Sequence, residues 1–374
     1  MKRIYLDNAA TTPMVSEVIE AMHEWNTRFF GNPSSVHHFG QIARARLEEC
    51  RDIIADFLGV PSKKFFFTSG GTEGNNWILK SVAAQLTSEK KHILISALEH
   101  ASVFETARFL KKQGADIDFI EPDGEGLITV DQIQKVLRKD TAFISIMYVN
   151  NETGIINPVK EIADFCKKNN IQFHCDAVQA LGKVDFELQE MDVDFLTVSA
   201  HKIHGPKAVG AVYIKEPALL EPFLHGGQQE AGTRAGTENV SGIIGFARAA
   251  QWIASRRSQR DKVKQLQSYF EERLKELFKK VVVIGGDAPR TPFISQVAFP
   301  GVDNQNLLMR LDLNGIAVSV GSACSSGTLK PSRVLQKMHL ADDVVRSALR
   351  FSFSYLNKME EIETTLENLK ILIS

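Results

Sequence analysis

The chain has 374 residues, with 44 lysines and arginines, 45 aspartates and glutamates, and a net charge of −1. This length allows a sizeable core and exceeds that of one small domain, so we expect two domains. The balanced charge gives no electrostatic reason to expect nucleic acid or a membrane surface as the main partner. Because no apolar run approaches transmembrane length and no signal-peptide core is visible, we expect no membrane partner.

The cysteines bear on the compartment in which the protein works. Cys50, Cys166, Cys175 and Cys324 show no Cys-x-x-Cys spacing. In a chain of this length they do not indicate a disulfide framework. A reducing compartment, most simply the cytoplasm, is therefore predicted.

The N-terminal part of the chain alternates polar turns with predicted helices. Pro13 is typical of a helix start, and that helix is expected to run toward Trp25. A second helical pattern covers residues 41–58 and stops at Gly59, a residue type that commonly follows a helix end. A short aromatic strand then leads into a Gly/Ser/Thr turn, with a helix beginning near Thr72. Free backbone N–H groups and small residues make such a turn suitable for phosphate, although it matches neither a P-loop nor a dinucleotide fingerprint.

From residue 92 onward, apolar strand patterns alternate with helical ones. We predict strands at residues 92–96, 116–120, 142–148, 171–176, 195–198 and 209–214, and helices near residues 102–113, 130–138 and 161–169. This alternation is typical of an α/β fold with a mostly parallel sheet wrapped by helices. Ligands of such sheets bind at the carboxyl ends of the strands. These ends carry polar groups, which we expect to meet at one edge: residues 99–100, 150–152, 176–179 and 199–202.

The C-terminal part has a different pattern. A long Gly-rich polar loop, residues 224–239, precedes a charged helix predicted over residues 243–279. Strands at residues 281–284 and 294–299 and helices at residues 304–314 and 342–349 then indicate a smaller α+β domain. The predicted division is a large domain of residues 16–255 and a small domain of residues 1–15 and 256–374.

Lys202 is the first candidate for chemistry. It follows the predicted strand 195–198 and is flanked by the Ser199 hydroxyl and the His201 imidazole. A lysine delivered in this way can form a Schiff base with a carbonyl cofactor, whereas the alternative is a solvated surface lysine. Asp176, at another strand end, could keep a pyridine nitrogen protonated, and His100 could stack on such a ring and transfer protons. The alternative for His100 is a helix cap.

A metal site is the competing interpretation of His174, Cys175, His201 and His204. Because side chains alternate along a strand, His174 and Cys175 are expected on opposite faces and are unsuited to share one ion. The sequence therefore predicts no metal site.

Several motifs occur together in a fixed order. They are Leu-Asp-Asn-Ala-Ala-Thr-Thr-Pro at residues 6–13, Gly-Asn-Pro-Ser-Ser at 31–35, Thr-Ser-Gly-Gly-Thr-Glu-Gly-Asn at 68–75, Ser-Ala-His-Lys at 199–202 and Gly-Ser-Ala-Cys at 321–324. From Tyr5 to about Tyr355, the chain resembles the pyridoxal-phosphate-dependent cysteine desulfurases of the NifS/IscS type, within the class V aminotransferase group. The resemblance implies a fold-type I transferase, with a mostly parallel seven-stranded sheet in the large domain, and a homodimer.

The resemblance also implies roles for individual residues. Lys202 matches the lysine that binds the cofactor covalently, and Cys324 matches the cysteine that attacks the substrate sulfur and becomes a persulfide. The remaining matches are His100 (ring stacking and proton transfer), Asp176 (pyridine nitrogen), Gln179 (phenolic oxygen), Gly71, Thr72, Ser199 and His201 (phosphate), Thr237 (phosphate contact from the second subunit), Asn151 (cofactor and substrate carboxylate) and Arg350 (substrate carboxylate).

The local sequence around Cys324 agrees with a reactive thiol. Residues 322–327 are small and polar, whereas Cys166 and Cys175 have the apolar neighbours expected of structural cysteines. The Ser-Ser-Gly that follows Cys324 resembles the group with a longer, flexible active loop. Ala231 is a departure, because many relatives carry arginine there.

The implied reaction is removal of sulfur from L-cysteine, giving L-alanine and a Cys324 persulfide. In that reaction Lys202 removes the α-proton of the substrate. The persulfide passes to a sulfur acceptor, an iron–sulfur scaffold or a tRNA-thiolating enzyme. A selenocysteine lyase or an aminotransferase of the same fold, and a non-catalytic scaffold protein, remain alternatives at this point.

Overall fold

The computed structural model describes residues 3–185, 188–321 and 331–373. Cys324 lies outside these residues, so its reactivity and the character of its loop stay predictions. In the described part, no helix is long and apolar enough to cross a membrane.

The described residues form α-helices and β-strands that alternate through most of the chain. The helices are α1 Ser16–Arg28, α2 His38–Leu58, α3 Gly71–Gln85, α4 Ala101–Lys112, α5 Val130–Val136, α6 Val159–Lys168, α7 Val240–Ala254, α8 Arg260–Leu277, α9 Asn304–Leu313, α10 Arg333–Lys337, α11 Asp342–Ser347 and α12 Met359–Ile373. The strands are β1 Ile4–Tyr5, β2 Phe65–Thr68, β3 His92–Ser96, β4 Asp116–Ile120, β5 Thr141–Ser145, β6 Gln172–Asp176, β7 Phe195–Ser199, β8 Gly210–Ile214, β9 Val282–Val283, β10 Ile294–Ala298, β11 Ile316–Ala317 and β12 Ala348–Ser352.

A seven-stranded sheet forms the centre of the molecule, with strand order β2-β8-β7-β6-β5-β3-β4. Strands β4, β3, β5, β6 and β7 pair in parallel, and β8 runs antiparallel to both of its neighbours. The predicted mostly parallel seven-stranded sheet is therefore confirmed. Strands β3 and β7 are buried along their whole length, as expected where helices cover both faces of a parallel sheet.

Side-chain alternation along the strands divides the core into two layers. Ile93 and Ile95 pack in the same cluster as Trp77 of α3, while Leu94 between them belongs to the cluster that contains Phe246 of α7. Successive side chains of a strand point to opposite faces, so one apolar strand serves both layers. Burying a large apolar side chain contributes roughly 1.5–3 kcal/mol. Apolar side chains therefore cover both faces of the sheet, and polar side chains lie at the edge formed by the carboxyl ends of its parallel strands.

A second, antiparallel sheet has the strand order β12-β10-β9. The N-terminus joins this part of the molecule, because β1 pairs with β11 and Asp7 forms a bridge with Ser352. It also reaches the large sheet, since the backbone N–H of Thr12 donates to the carbonyl of His201 at 2.9 Å. The division into residues 16–255 and residues 1–15 with 256–374 stays a prediction.

Two predicted elements differ from the structure. The helix predicted over residues 243–279 is two helices, α7 and α8, separated by a 3₁₀ turn at Arg257–Gln259. Helix α7 is apolar and mostly buried, whereas α8 buries only one face, so the two pack differently. The helix predicted over residues 342–349 ends at Ser347, and Ala348–Ser352 form the fully buried strand β12.

Candidate active site

A cavity of about 280 Å³ lies at the carboxyl edge of the seven-stranded sheet. This volume is close to the lower end of the range of roughly 300–1,000 Å³ typical of small-molecule sites. Its lining consists of Ala9, Ala10, Gly71, Thr72, Asn75, His100, Ser102, Met147, Val149, Asn151, Asp176, Val178, Gln179, Ser199, His201, Lys202 and Arg350. The structure thus brings together every described residue predicted for the site except Thr237, which is exposed and lies outside this lining.

Lys202 is half-buried at the end of the short turn that follows β7. Its Nζ donates to the carbonyl of Ala9 at 2.6 Å and to that of Ala10 at 2.8 Å. The turn itself is fixed from the same segment, because the Thr12 Oγ1 hydroxyl donates to the His201 carbonyl at 2.8 Å. The N-terminal segment therefore keeps the amine at the cavity wall, and the alternative of a solvated surface lysine is wrong.

The Asp176 carboxylate has a fixed orientation at the end of β6. Its Oδ1 accepts from the backbone N–H of Val178 at 3.0 Å, and its Oδ2 accepts from Nδ2 of Asn75 at 2.8 Å. Asn75 also donates to Ser102 Oγ, and its Oδ1 is buried without a partner in the described part of the chain. No role was predicted for Asn75, although it closes the motif at residues 68–75. It orients the carboxylate predicted to face the cofactor.

His100 serves as a cap and lines the cavity at the same time. Its Nδ1 accepts from the backbone N–H of Ser102 at 3.2 Å and lies 2.9 Å from the Ser102 hydroxyl. Because Nδ1 is an acceptor, the neutral ring carries its proton on Nε2. Burial, assisted by the Lys202 and Arg333 charges, lowers the His100 pKa below its ordinary value despite the opposing effect of Asp176. The ring is therefore neutral at neutral pH.

The turn at the N-terminus of α3 approaches the sheet very closely. A Cβ on Gly71 would lie 2.8 Å from Cγ2 of Val178, and Gly70 has a φ of +146° that favours glycine. The first backbone N–H groups of this 15-residue helix border the cavity beside Thr72. Free N–H groups at a helix N-terminus attract anions. Close packing of the turn is thus what brings an anion-binding helix end to the edge of the sheet.

Ser199 and His201 lie on the other side of this turn. Burial and the neighbouring Lys202 lower the His201 pKa to about 3, so its ring is neutral. Its Nδ1 lies 3.2 Å from the Thr11 hydroxyl. A neutral imidazole can still offer one N–H to an anion, and the positive charge on this side of the cavity comes from Lys202.

The Gly-rich loop forms two ion pairs, one with the α3 turn and one with helix α2. Arg234 binds the Glu73 carboxylate, with Nε at 2.8 Å and Nη2 at 3.1 Å, and Glu73 also accepts from the backbone N–H of Ser69. Deeper in the molecule, Arg51 binds both carboxylate oxygens of Glu230 at 2.7 Å. Breaking a buried pair by removing one partner costs about 3–5 kcal/mol. The loop is therefore attached to the first turn of α3 through Arg234 and to α2 through Glu230.

Ala231 occupies a strained position in this loop. Glu230 and Ala231 have φ values of +47° and +56°, in the left-handed region that residues with a Cβ seldom adopt. Ala231 itself is exposed. The burial of Glu230 and its ion pair with Arg51 hold the backbone in this conformation, so the loop does not depend on the side chain at position 231 for its shape.

Arg350 reaches the cavity from the middle of β12 and is 2% exposed. Its Nη1 donates to the carbonyl of Asn151 at 2.9 Å, and its Nη2 donates to Asp7 Oδ1 at 2.8 Å. Its Nε is buried and has no partner among the described residues. A guanidinium has five N–H donors, so several remain for a carboxylate in the cavity. Asp7, which the sequence did not single out, orients this group.

Glu152 follows Asn151 and lies close to Gly321 and Ser332, on the two sides of the stretch 322–330. Ser332 Oγ donates to Glu152 Oε2 at 2.5 Å, and a Cβ on Gly321 would lie 2.8 Å from the same oxygen. Burial raises the Glu152 pKa, and the Ser332 hydrogen bond opposes that shift. Glu152 thus binds Ser332, and a side chain at position 321 would collide with the Glu152 carboxylate.

These features fit a pyridoxal phosphate. The cavity combines an amine, a fixed carboxylate and a helix N-terminus, and it borders two buried polar atoms, Asn75 Oδ1 and Arg350 Nε, that lack partners in the described part of the chain. Within residues 3–185, 188–321 and 331–373, no group of three or more histidine, cysteine, aspartate or glutamate side chains is placed to hold a metal ion.

Comparison with known proteins identifies the family. The sequence pattern named Aminotransferase class-V matches residues 4–365. The chain belongs to this family. It is 42% identical to the cysteine desulfurase IscS of Dictyoglomus turgidum over 100% of this chain and 95% of that protein, and 39% identical to the IscS of Methanosarcina thermophila over 98% and 91%. These similarities confirm the predicted family, the pyridoxal-phosphate-dependent cysteine desulfurases of the NifS/IscS type.

Solved structures of the class-V family agree with the fold. A NifS-like protein superposes with a TM-score of 0.92 at 35% identity and covers 99% of both chains. SspA in complex with cysteine superposes with a TM-score of 0.84 at 32% identity, over 94% of this chain and 98% of that chain. The predicted fold-type I architecture, enzyme class and cofactor are thereby confirmed.

Proposed function

We propose that this chain converts L-cysteine to L-alanine with pyridoxal phosphate bound in the cavity, and that the Cys324 thiol accepts the sulfur as a persulfide. The observation that carries the proposal is that Lys202 and Asp176 line one cavity beside the N-terminus of α3. An amine, a carboxylate and a phosphate-binding turn are the groups that this cofactor requires. The names of the relatives and the cysteine complex of SspA support the choice of substrate.

Bound pyridoxal phosphate supplies an electron sink for the negative charge that develops at the substrate's Cα. Asp176 keeps the pyridine nitrogen protonated, because a nearby opposite charge favours the cation. The phosphate is held by Gly71, Thr72, Ser199 and His201. Support for this assignment comes from the glycine geometry and the free N–H groups of the α3 turn.

The remaining cavity residues orient the substrate and move protons. Lys202 would hold the cofactor through its amine and would act as the base for the α-proton of the substrate, and the neutral His100 would lie against the cofactor ring and assist proton transfer. Gln179 donates to the cofactor's phenolic oxygen. Arg350 and Asn151 hold the substrate carboxylate, and Asn151 also contacts the cofactor. The unused N–H donors of Arg350 support its role.

The same proposal covers partners and organisation. The persulfide passes to a sulfur acceptor, an iron–sulfur scaffold or a tRNA-thiolating enzyme, with no membrane and no direct nucleic-acid partner. The chain acts as a cytoplasmic homodimer in which Thr237 contacts the phosphate bound by the other subunit. Exposure of Thr237 outside the cavity of its own chain supports that assignment. Residues 16–255 form the large domain, and residues 1–15 with 256–374 form the small domain.

The deciding experiment measures alanine and persulfide in the protein loaded with pyridoxal phosphate. Cys324→Ser is expected to keep the visible cofactor band and to lose alanine production from L-cysteine, because no thiolate remains to take the sulfur. Cys166→Ala, at a buried cysteine whose pKa burial raises to about 12, is the matched control and keeps activity. Full activity of Cys324→Ser would sink the proposal, and amino transfer to a keto acid would indicate an aminotransferase instead.

A further inference from the structure

Lys183 is a buried amine that the proposed reaction does not use. It is 4% exposed and lies in the turn after β6, four residues beyond Gln179. The charged groups that act on it are Lys202 and Arg350, both cations, and together with burial they lower its pKa well below the ordinary value. Among the described residues, no carboxylate lies within ion-pair distance of its Nζ. A buried lysine without a counter-charge is unfavourable for folding alone.

The hydrogen bond of Lys183 determines how the Gln179 amide is oriented. Lys183 Nζ donates to Gln179 Oε1 at 2.5 Å, and Gln179 Nε2 donates to the carbonyl of Ala9 at 2.7 Å. A backbone carbonyl is only an acceptor, so the end of the amide at Ala9 is its nitrogen, and the Lys183 amine donates to the oxygen at the other end. The amide nitrogen therefore lies at the Ala9 side of the cavity, with a second N–H left for a ligand.

This corner of the cavity is consequently specific for a hydrogen-bond acceptor. Gln179 lines the cavity, and an amide N–H can bind an anionic oxygen but not another donor. The same Ala9 carbonyl accepts from Lys202 Nζ. The amide donor is thus placed next to the amine that carries the cofactor in the proposed function.

We propose that Lys183 is a positioning residue that fixes the Gln179 amide with its N–H toward the cavity, so that this corner binds an anionic oxygen. The identity of that oxygen rests on the proposed function: it is the phenolic oxygen of pyridoxal phosphate. Lys183 does not touch the cofactor and acts through Gln179. Both residues are on one turn, and the carbonyl of Ala9 connects that turn to the N-terminal segment.

The test is a pH titration of the visible absorption of the protein loaded with pyridoxal phosphate. Lys183→Met removes the N–H donor and keeps a side chain of similar length. The Gln179 N–H donor stabilises the more negative, high-pH form of the bound cofactor. When Lys183 no longer positions this donor, the titration midpoint of the cofactor is expected to rise by about one pH unit, a tenfold change in the proton-binding constant. Lys183→Arg keeps donors and is expected to restore most of the wild-type midpoint.

A double variant separates positioning from a direct charge effect. In a Gln179→Ala background, Lys183→Met is expected to cause almost no further shift, because residues that act through one another are not additive. A full shift in that background, or a wild-type midpoint in Lys183→Met itself, would overturn the inference. If Lys183→Met does not fold, Lys183→Gln takes its place with a shift expected in the same direction, since a glutamine can present either end of its own amide.

The controls distinguish this inference from the proposed function. If the wild-type protein takes up no pyridoxal phosphate and shows no visible band, the proposed function fails. If the wild type and Lys183→Met titrate alike with a normal band, only the role of Lys183 fails. Lys207→Met, at an exposed lysine of the same region, is expected to titrate like the wild type.

Discussion

The two larger sheets contribute to the cavity in different ways. The seven-stranded sheet supplies side chains that follow the ends of its strands, such as Asp176 and Lys202. The three-stranded sheet supplies Arg350 from the middle of β12, where it faces Gln296 in the pairing register. Side chains that follow strand ends can surround a ring-shaped cofactor. A side chain in the middle of a strand, such as Arg350, is held in one direction by the backbone pairing on both sides of it and is suited to bind one group of the substrate. We therefore expect variants of the first set to alter the cofactor and variants of the second to alter substrate binding.

The largest effect is expected for Lys202→Ala, on the seven-stranded side of this comparison. Without the amine, the protein is expected to lose the visible band typical of covalently bound cofactor and to lose activity by about 10⁴-fold, because nucleophile and base are removed together. Absorption spectra and alanine production measure both quantities. Lys207→Ala is the control, and retention of the band in Lys202→Ala would contradict the assignment.

Asp176→Asn is expected to have the next largest effect. The amide keeps the shape of the carboxylate but not its charge, so protonation of the pyridine nitrogen is no longer favoured and kcat falls by about 100-fold. Asn75→Ala removes the hydrogen bonds to Asp176 Oδ2 and to Ser102 Oγ but keeps the carboxylate charge, and is expected to have a smaller effect. Stopped-flow spectra with L-cysteine measure the slowed step. A normal kcat in Asp176→Asn would remove this residue from the mechanism.

Arg350→Lys tests the other sheet. Loss of the planar fork is expected to raise KM for L-cysteine by about 30-fold, close to 2 kcal/mol, with a smaller change in kcat and an unchanged cofactor spectrum. Asp7→Asn, which weakens the contact that orients the guanidinium, is expected to raise KM by less. A change confined to kcat or to the cofactor spectrum would contradict the assignment of substrate binding to the three-stranded sheet.

The smallest effect concerns stability at acid pH. His174 is fully buried between the hydroxyls of Ser145 and Thr197, and burial lowers its pKa to about 3. The unfolded chain binds a proton at this residue below pH of about 6.5, whereas the folded chain does not, so stability falls as pH decreases from about 6.5 toward 3. At pH 5 the loss is about 2 kcal/mol relative to neutral pH.

A histidine exchange measures that contribution directly. His174→Asn is expected to destabilise the protein at neutral pH but to make urea unfolding less dependent on pH between about 7 and 5. His38→Asn, at an exposed histidine, is the control and keeps the wild-type dependence. An unchanged pH dependence in His174→Asn would mean that other groups dominate the acid transition.

Much of the site on the large sheet can be predicted from sequence patterns. Alternating strands and helices predict a parallel sheet, and the rule that ligands bind at the carboxyl ends of strands brings His100, Asp176 and Lys202 together. The local Gly/Ser/Thr pattern also predicts the turn before α3, which the structure places at the same cavity. These inferences succeed because each depends on local patterns and on one general property of parallel sheets.

The residues that were not predicted depend on contacts between distant segments. Strand β12 follows α11 without a turn residue between them, so the local pattern does not mark the change at Ala348. Lys183 looks like an ordinary surface lysine in the sequence, and its burial arises only when the turn after β6 packs beside the N-terminal segment. Asp7 acquires its role through Arg350, 343 positions away.

The position of the N-terminal segment has a consequence for the order in which the protein is made. The Ala9 carbonyl, which binds both Lys202 and Gln179, leaves the ribosome long before Ser352, yet the segment that contains Ala9 pairs through Leu6 with Ser352. Contacts of such long sequence separation form late and slow folding. The nascent chain can assemble the large sheet before Ser352 is made, yet the cavity is complete only afterwards, and stable cofactor uptake is expected to follow that step.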